Sequence, residues 1–492
     1  MRSRKQRVWL ITTAIILVLL MVVNIGAFIF YELLNIVMPG GGERPAFSSS
    51  TAVYMSDYNS KEEALEAGNE VNLRLCEEGM VLLKNENDAL PLATPVSDSN
   101  VAQQPKISVF GKNSVNLAYG GSGSGAIDAE GAIDLYAALE MAGYQVNPEL
   151  KAFYEDESRS GPARAANSSD LDSGKSIRIA TGETPQAKYT DEVKSSYSEY
   201  NDAAIVVFTR IGGEGFDLPR QMDGVEGAAS PDDHYLELDQ NERDLLSAVC
   251  NSGFDRVIVV INSGSAMELT FLTDTDYFSE ADKIDAPLCK GFPGASGTQA
   301  LGKILNGAVN PSGKTVDTYA ADLKAAPSFQ NFGDNNAENG DRYYVNGEPQ
   351  NYYFVSYEEG IYVGYRYYET RGAEDEAWYQ DNVVYPFGYG LSYTQFSWNV
   401  TEKNSIENQA ITGDGSYQIS VEVTNTGSRP GKDVVQLYAH APYYDGGIEK
   451  PYVVLVGFAK TSLLEPGQSE TVLLTFSPYA LASYDYLDAN QN

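Results

Sequence analysis

The stretch Ile205-Val-Val-Phe-Thr-Arg-Ile-Gly-Gly-Glu214-Gly-Phe-Asp217 limits the possible fold more than any other: a continuous apolar, β-branched run leads straight into a glycine-flanked glutamate. A run that is apolar on both faces suits a strand buried on both sides, the condition inside a parallel sheet covered by helices. Open sheets of this kind place their chemistry beyond the carboxyl ends of the strands. Gly213 and Gly215 allow backbone conformations that other residues resist, so the loop can present one carboxyl group to a bound ligand.

Strand and helix signals alternate around that run. Ser60-Lys-Glu-Glu63 is a capping-box pattern that opens a helix through Leu75. Residues 106–111 read as a strand and 128–141 as a helix with Gly143 just past its end. Residues 203–208 are the next strand, and Asp239-Gln-Asn-Glu242 caps a helix that stops at Gly253. A strand over 256–261 and a helix over 296–305, ended by Gly307, complete the pattern. The expected fold class is α/β, an α/β sandwich whose mostly parallel sheet is covered on both faces, over residues 60–325. The polar stretch 155–189 reads as an inserted loop.

A connecting segment, 326–394, carries a tyrosine cluster of Tyr343, Tyr344, Tyr352, Tyr353, Tyr357, Tyr362, Tyr365, Tyr367 and Tyr368. Such rings suit packing between domains or stacking on sugars. From about Phe396 the period changes to two: Tyr417, Ile419, Val421 and Val423 alternate with polar residues, and Val472, Leu474 and Phe476 repeat the pattern. That is the mark of a half-buried antiparallel sandwich, expected over residues 395–492. Five strands can be counted where about seven complete a sandwich of this type, so it reads as incomplete.

At the other end, residues 9–30 are almost continuously apolar, and about 20 such residues are what a bilayer-spanning helix needs. Arg2, Arg4, Lys5 and Arg7 precede the run and the first charges after it are acidic, so residues 1–31 read as a cytoplasmic stub and transmembrane signal anchor. Residues 32–59 form a tether, and the bulk of this single-pass chain is expected outside the cell, held to the lipid bilayer through 9–30. With Lys+Arg 34 against Asp+Glu 68, the net charge of −34 argues against nucleic acid and suits a neutral partner such as an oligosaccharide. Cys76, Cys250 and Cys289 are too few and too scattered for a disulfide framework or a zinc site. His234 and His440 are the only histidines, so no histidine-rich metal centre is expected and carboxylates must carry any chemistry.

These phrases together resemble glycoside hydrolase family 3, the β-glucosidase-like enzymes. The loop Arg210-Ile-Gly-Gly-Glu214-Gly-Phe-Asp217 is similar to the family's R-x-x-G-E-G-x-D acid/base loop. Glu78-Gly-Met-Val-Leu-Leu-Lys84, Gly120-Gly-Ser-Gly-Ser-Gly125, Val309-Asn-Pro311-Ser-Gly313-Lys and Tyr385-Pro-Phe-Gly-Tyr-Gly390 are similar to phrases of its second domain, in the same order. Val435-Gln-Leu-Tyr438 and Leu455-Val-Gly-Phe458 resemble its fibronectin type III-like domain.

The resemblance implies a retaining glycosidase without a cofactor or metal, with Glu214 as general acid/base and with Arg210 and Asp217 binding substrate or supporting the loop. Retention needs a second carboxyl about 5 to 5.5 Å away as nucleophile. The family carries that aspartate on a (β/α)8 barrel, and no barrel is written here. The expectation is the N-terminal part of a longer, reversed-order enzyme, above all a β-glucosidase cutting O-glycosidic bonds at oligosaccharide ends, with the barrel in cis and this fragment inactive alone. The alternative is a non-catalytic extracellular module that binds carbohydrate or protein. Gly120-Gly-Ser-Gly-Ser-Gly125 lacks the spacing of a phosphate or dinucleotide loop and is expected to line the cleft.

Overall fold

The computed structural model describes residues 57–92, 104–121, 123–127, 129–164, 180–212, 218–222, 225–331, 357–402 and 411–485, with short pieces at 5, 9, 12–13, 16–23, 335–336, 342–345, 348–351, 353–354 and 406. It divides into two units, Met1–Leu65 and Glu66–Asn492. In the first, residues 16–23 are helical, and every apolar side chain among them is more than half exposed. Among the described residues no helix is long and apolar enough to cross a membrane. The expected span over 9–30 lies partly, and the tether mostly, outside the described residues. Helix α1 (Lys61–Gly79) runs a turn beyond the expected end at Leu75. Ser60 Oγ accepts the Glu63 N–H at 3.0 Å, but the Glu63 carboxylate reaches back to the Asn59 N–H at 2.8 Å, one residue earlier than a capping box predicts.

The second unit is built on a six-stranded sheet of β1 (Val81–Leu82), β2 (Lys106–Phe110), β3 (Gln145–Val146), β4 (Ala203–Arg210), β5 (Val257–Ser263) and β6 (Leu288–Cys289). Their order is β1-β6-β5-β4-β2-β3, parallel throughout except for the antiparallel edge strand β1. All eight residues of β4 are buried. Their side chains alternate between two cores. Ala204, Val206 and Phe208 join Leu150, Phe153, Leu245 and Val249 on one face, while Ile205 and Val207 join Leu135, Leu139, Leu301 and Ile304 on the other. Those partners come from helices α3 (Pro148–Glu155) and α4 (Gln240–Cys250) on the first face, and α2 (Leu135–Met141) and α5 (Thr298–Leu305) on the second. Each fully buried aliphatic side chain here contributes about 1.5–3 kcal/mol, which is why the run must be a central strand.

Two expectations need correction. The helix expected from residue 128 starts only at Leu135, because Gly131 at φ 84 breaks the run and Asp134 caps the helix through Ala137 N–H at 2.7 Å. The insertion 155–189 is not simply a loop. Its described ends are folded and largely buried, with Ser160, Arg164, Thr181, Glu183, Thr184 and Tyr189 nearly closed to solvent. Gly182 at φ 69 has no room for a side chain, since a Cβ would stand 2.3 Å from Arg164 N, so the two ends of the insertion meet backbone to backbone. Residues 165–179 lie outside the described residues.

The chain then returns along the sheet domain through β7 (Tyr319–Ala320), paired with β8 (Val383–Tyr385). Helix α6 (Tyr365–Glu374) carries Tyr365, Tyr367 and Tyr368 of the tyrosine cluster, and α7 (Glu376–Asn382) follows it. Tyr365 stacks on Phe387 at 4.6 Å and its hydroxyl accepts the Leu455 N–H at 3.0 Å, so this ring packs between segments. The final domain has two small antiparallel sheets. One contains β9 (Phe396–Glu402), β10 (Tyr417–Asn425) and β13 (Ser469–Phe476); the other contains β11 (Val434–Ala439) and β12 (Val454–Lys460). Val421, Val423, Val435, Leu464, Val472 and Leu474 fill the space between them. Glu78, at the end of α1, holds this domain against the first through Lys432 and through Lys460 at 2.7 Å.

Candidate active site at the carboxyl edge of the sheet

The carboxyl ends of β2, β4, β5 and β6 meet around one buried amide. Asn262 Nδ2 donates to the carbonyls of Ala118 at 2.9 Å and Gly291 at 2.7 Å, and its Oδ1 accepts from Ala118 N–H at 2.8 Å and Thr209 Oγ at 3.3 Å. One side chain thus ties the loops after β2 and β6 to the end of β4. The Phe292 ring closes the same edge. A Cβ on Gly264 would come within 2.5 Å of it, and a Cβ on Gly121 would stand 3.2 Å from Gly212 O and 3.9 Å from the ring. The glycine-rich loop therefore packs on the start of the loop that follows β4.

Glu214 and Asp217 lie outside the described residues, as do all of 213–217. Arg210, the third expected site residue, is 1% exposed. Its guanidinium faces inward, with Nη1 at 2.7 Å and Nη2 at 2.6 Å from the two carboxylate oxygens of Glu242. Its other donors reach the carbonyls of Thr209 at 3.1 Å, Tyr235 at 2.5 Å and Glu237. Burial pulls its pKa down, but the Glu242 carboxylate more than offsets this and holds the guanidinium above its ordinary range. So enclosed, the Arg210 guanidinium spends its hydrogen bonds on Glu242 and on the chain's own carbonyls.

A second layer of buried polar groups lies beneath. Glu242 N–H donates to Asp239 Oδ1 at 2.8 Å and Asp239 N–H to Glu242 Oε2 at 2.9 Å, completing the capping box of α4. Thr181, from the insertion, donates to Asp239 Oδ2. Burial, reinforced by the Glu242 charge, pushes Asp239 up to about 7. Glu183 accepts the Lys112 N–H with both oxygens at 3.1 Å and the Thr184 N–H at 2.8 Å. Burial pushes Glu183 up to about 8 although those amides pull the other way. The cap pair Asp239 and Glu242 is legible locally, but Thr181 with Asp239 and Lys112 with Glu183 are not, because they lie 58 and 71 residues apart in sequence.

His234, Glu237 and Glu268 also converge, with one ligand atom from each within 4.8 Å of the others. The imidazole is already committed: its Nδ1 accepts the Leu236 N–H at 3.1 Å, so Nε2 carries the proton and donates to Glu268 Oε1 at 2.8 Å. Glu268 further accepts the Leu323 N–H at 2.7 Å, and Glu237 lies 3.4 Å from Lys324. The group is a hydrogen-bond network joining the return arm of the loop to residue 323, with no imidazole lone pair left for a metal. An open groove of about 570 Å³ lies alongside, lined by Arg220, Gln221, Asp232, Lys324, Phe329 and Gln330. The three cysteines are free and half-buried. Burial holds the Cys250 and Cys289 thiols up to about 12 and about 11, far from thiolate chemistry.

Lys290, just after β6, is 5% exposed and its Nζ has no hydrogen-bond partner among the described residues. Burial pulls it down to about 7, with a smaller opposing pull from Cys76. Because the unfolded chain keeps an ordinary lysine pKa, it binds more protons than the folded chain from pH 7 to about 10.4, and stability rises with pH across that window. Lys290→Met is expected to stabilise the protein at pH 7 by roughly 2 kcal/mol and to flatten this slope. Melting curves at pH 7 and pH 10 check it; a variant less stable than the parent at pH 7 would refute it.

Residues 80–365 match the model described as the glycosyl hydrolase family 3 C-terminal domain, and residues 433–490 match a fibronectin type III-like domain. The chain is 33% identical to beta-glucosidase A of Butyrivibrio fibrisolvens over 83% of its length and 46% of that protein. It is 29% identical to thermostable beta-glucosidase B of Acetivibrio thermocellus, over 88% of this chain and 46% of the relative. Among solved structures, a beta-glucosidase from Paenibacillus barengoltzii aligns with TM-score 0.66 at 31% identity, covering 86% of this chain and 40% of that one. Beta-glucosidase 3B from Thermotoga neapolitana, in complex with glucose, aligns with TM-score 0.63 at 31% identity, covering 86% and 50%. The chain thus spans less than half the length of these two curated relatives.

Proposed function

We propose that this chain, which belongs to glycosyl hydrolase family 3, contributes the acid/base half of a retaining β-glucosidase. The observation that supports the reading is the fully buried strand β4, whose carboxyl end at Arg210 lies four residues before Glu214 in sequence. Glu214 would protonate the departing oxygen and later deprotonate the attacking water, while a nucleophilic carboxylate from residues outside these 492 attacks the anomeric carbon. The substrate class, a β-glucoside or oligosaccharide end, follows from relatives that are beta-glucosidases, one of them solved with glucose. The test is the reading frame beyond the Asn492 codon together with an aryl β-glucoside assay of the isolated chain. An open frame encoding a barrel aspartate, and no turnover by residues 1–492 alone, are expected. A stop codon at that point would leave the chain a non-catalytic carbohydrate- or protein-binding module.

The same reading holds the chain at the cell membrane through residues 9–30, with its bulk outside. Its support is the basic stub, the apolar run and the exposed apolar helix over 16–23. After alkaline carbonate extraction the chain is expected in the membrane pellet. Release into the supernatant would overturn this placement.

A further inference from the structure

We infer that Tyr235 and Glu242 are positioning residues for the acid carboxyl, acting through Arg210 as a clamp at the neck of the loop that carries it. The inference rests on the reading of Glu214 as acid/base, and its geometry lies wholly in described residues. The loop leaves the sheet at Ile211 and returns at Tyr235 to Glu237. Arg210, the last residue of β4, reaches across to the return arm and takes the carbonyls of Tyr235 and Glu237. Tyr235 answers in the other direction, its hydroxyl accepting the Ile211 N–H of the outgoing arm at 3.1 Å. Its own N–H donates to Pro219 O at 3.0 Å, and its ring packs with Met222 and Leu218. Glu242, from the first turn of α4, grips the guanidinium with both oxygens and also accepts the Asp239 N–H.

All five guanidinium N–H groups are therefore used: two on Glu242, one on the strand's own carbonyl at Thr209 and two on the return arm. An arrangement needed for stability alone would be served as well by apolar side chains, since a buried ion pair gives little net gain over a packed hydrophobic pair. A planar fork with every donor aimed instead fixes directions. Ile211 lies three residues before Glu214, and a displacement of about 1 Å at a reacting group can cost ~10²-fold in rate.

Tyr235→Phe tests this with little risk to folding, because it keeps the ring and removes only the hydroxyl. In this chain, hydrogen exchange of the Ile211 amide is expected to accelerate about 10-fold or more, with little change in melting temperature. In the polypeptide that also carries the nucleophile, kcat for a disaccharide should fall about 10-fold, and the basic limb of the kcat/KM profile, which reports the acid, should shift. Glu242→Gln, which keeps the shape and loses the charge, should shift that limb in the same way. A purely structural role would lower the melting temperature and leave the limb in place. If Glu214→Ala disables disaccharide hydrolysis while Tyr235→Phe changes neither exchange nor the pH profile, the clamp is refuted and the function stands. If Tyr235→Phe accelerates exchange while Glu214→Ala is without effect, the clamp stands and the assignment of the acid fails.

Discussion

Glu242→Leu is expected to lower the stability of the α/β domain by about 3–5 kcal/mol, the cost of leaving a buried guanidinium without its counter-charge. Arg210 is 1% exposed and Glu242 0%, so water cannot replace the lost partner. Arg210→Met should cost a similar amount, because it strands a buried carboxylate and frees the carbonyls of Tyr235 and Glu237. The double variant removes both charges, and most of the loss should return. Denaturant unfolding of the four proteins, followed on the α/β domain's transition, measures the coupling. It should exceed about 2 kcal/mol. Additive losses would mean that the two side chains do not act as a pair.

What could be read from the sequence, and what could not, divides along a physical line. Strand β4 was legible because burial on both faces demands an unbroken apolar run, and α4 because Asp239 and Glu242 form a local cap with a fixed spacing. The period-two sandwich was legible for the same reason, with Val421 facing Val472 and Ile419 facing Leu474 across the ladder. The start of α2 was missed because the break at Gly131 depends on a positive φ that apolar periodicity does not report. The insertion was misjudged because Thr181 and Glu183 look like solvent-facing residues. They are buried only because Asp239 and the Lys112 backbone, 58 and 71 positions away, satisfy them. Glu242 was legible as a cap and silent as the partner of Arg210, and nothing near Tyr235 or His234 in sequence announces their partners. Pairings of polar groups over such distances have no period.

The largest effect on chemistry is expected at Glu214. In the polypeptide that contains both carboxyl groups, Glu214→Ala should slow a disaccharide by about 10²–10⁴-fold, because its alcohol leaving group needs a proton. An aryl glucoside with a good leaving group should still form the glucosyl-enzyme at near the parental rate, and then stall, since no base remains to activate water. Azide needs no such base. It would attack the anomeric carbon, form the carbon–nitrogen bond and release the nucleophile's carboxylate, with net retention. The most direct measurement is therefore the product of Glu214→Ala with an aryl β-glucoside in added azide. Accelerated turnover yielding β-glucosyl azide is the predicted result. Disaccharide hydrolysis within a few-fold of the parent and no azide adduct would contradict the assignment of this loop as the seat of the acid/base.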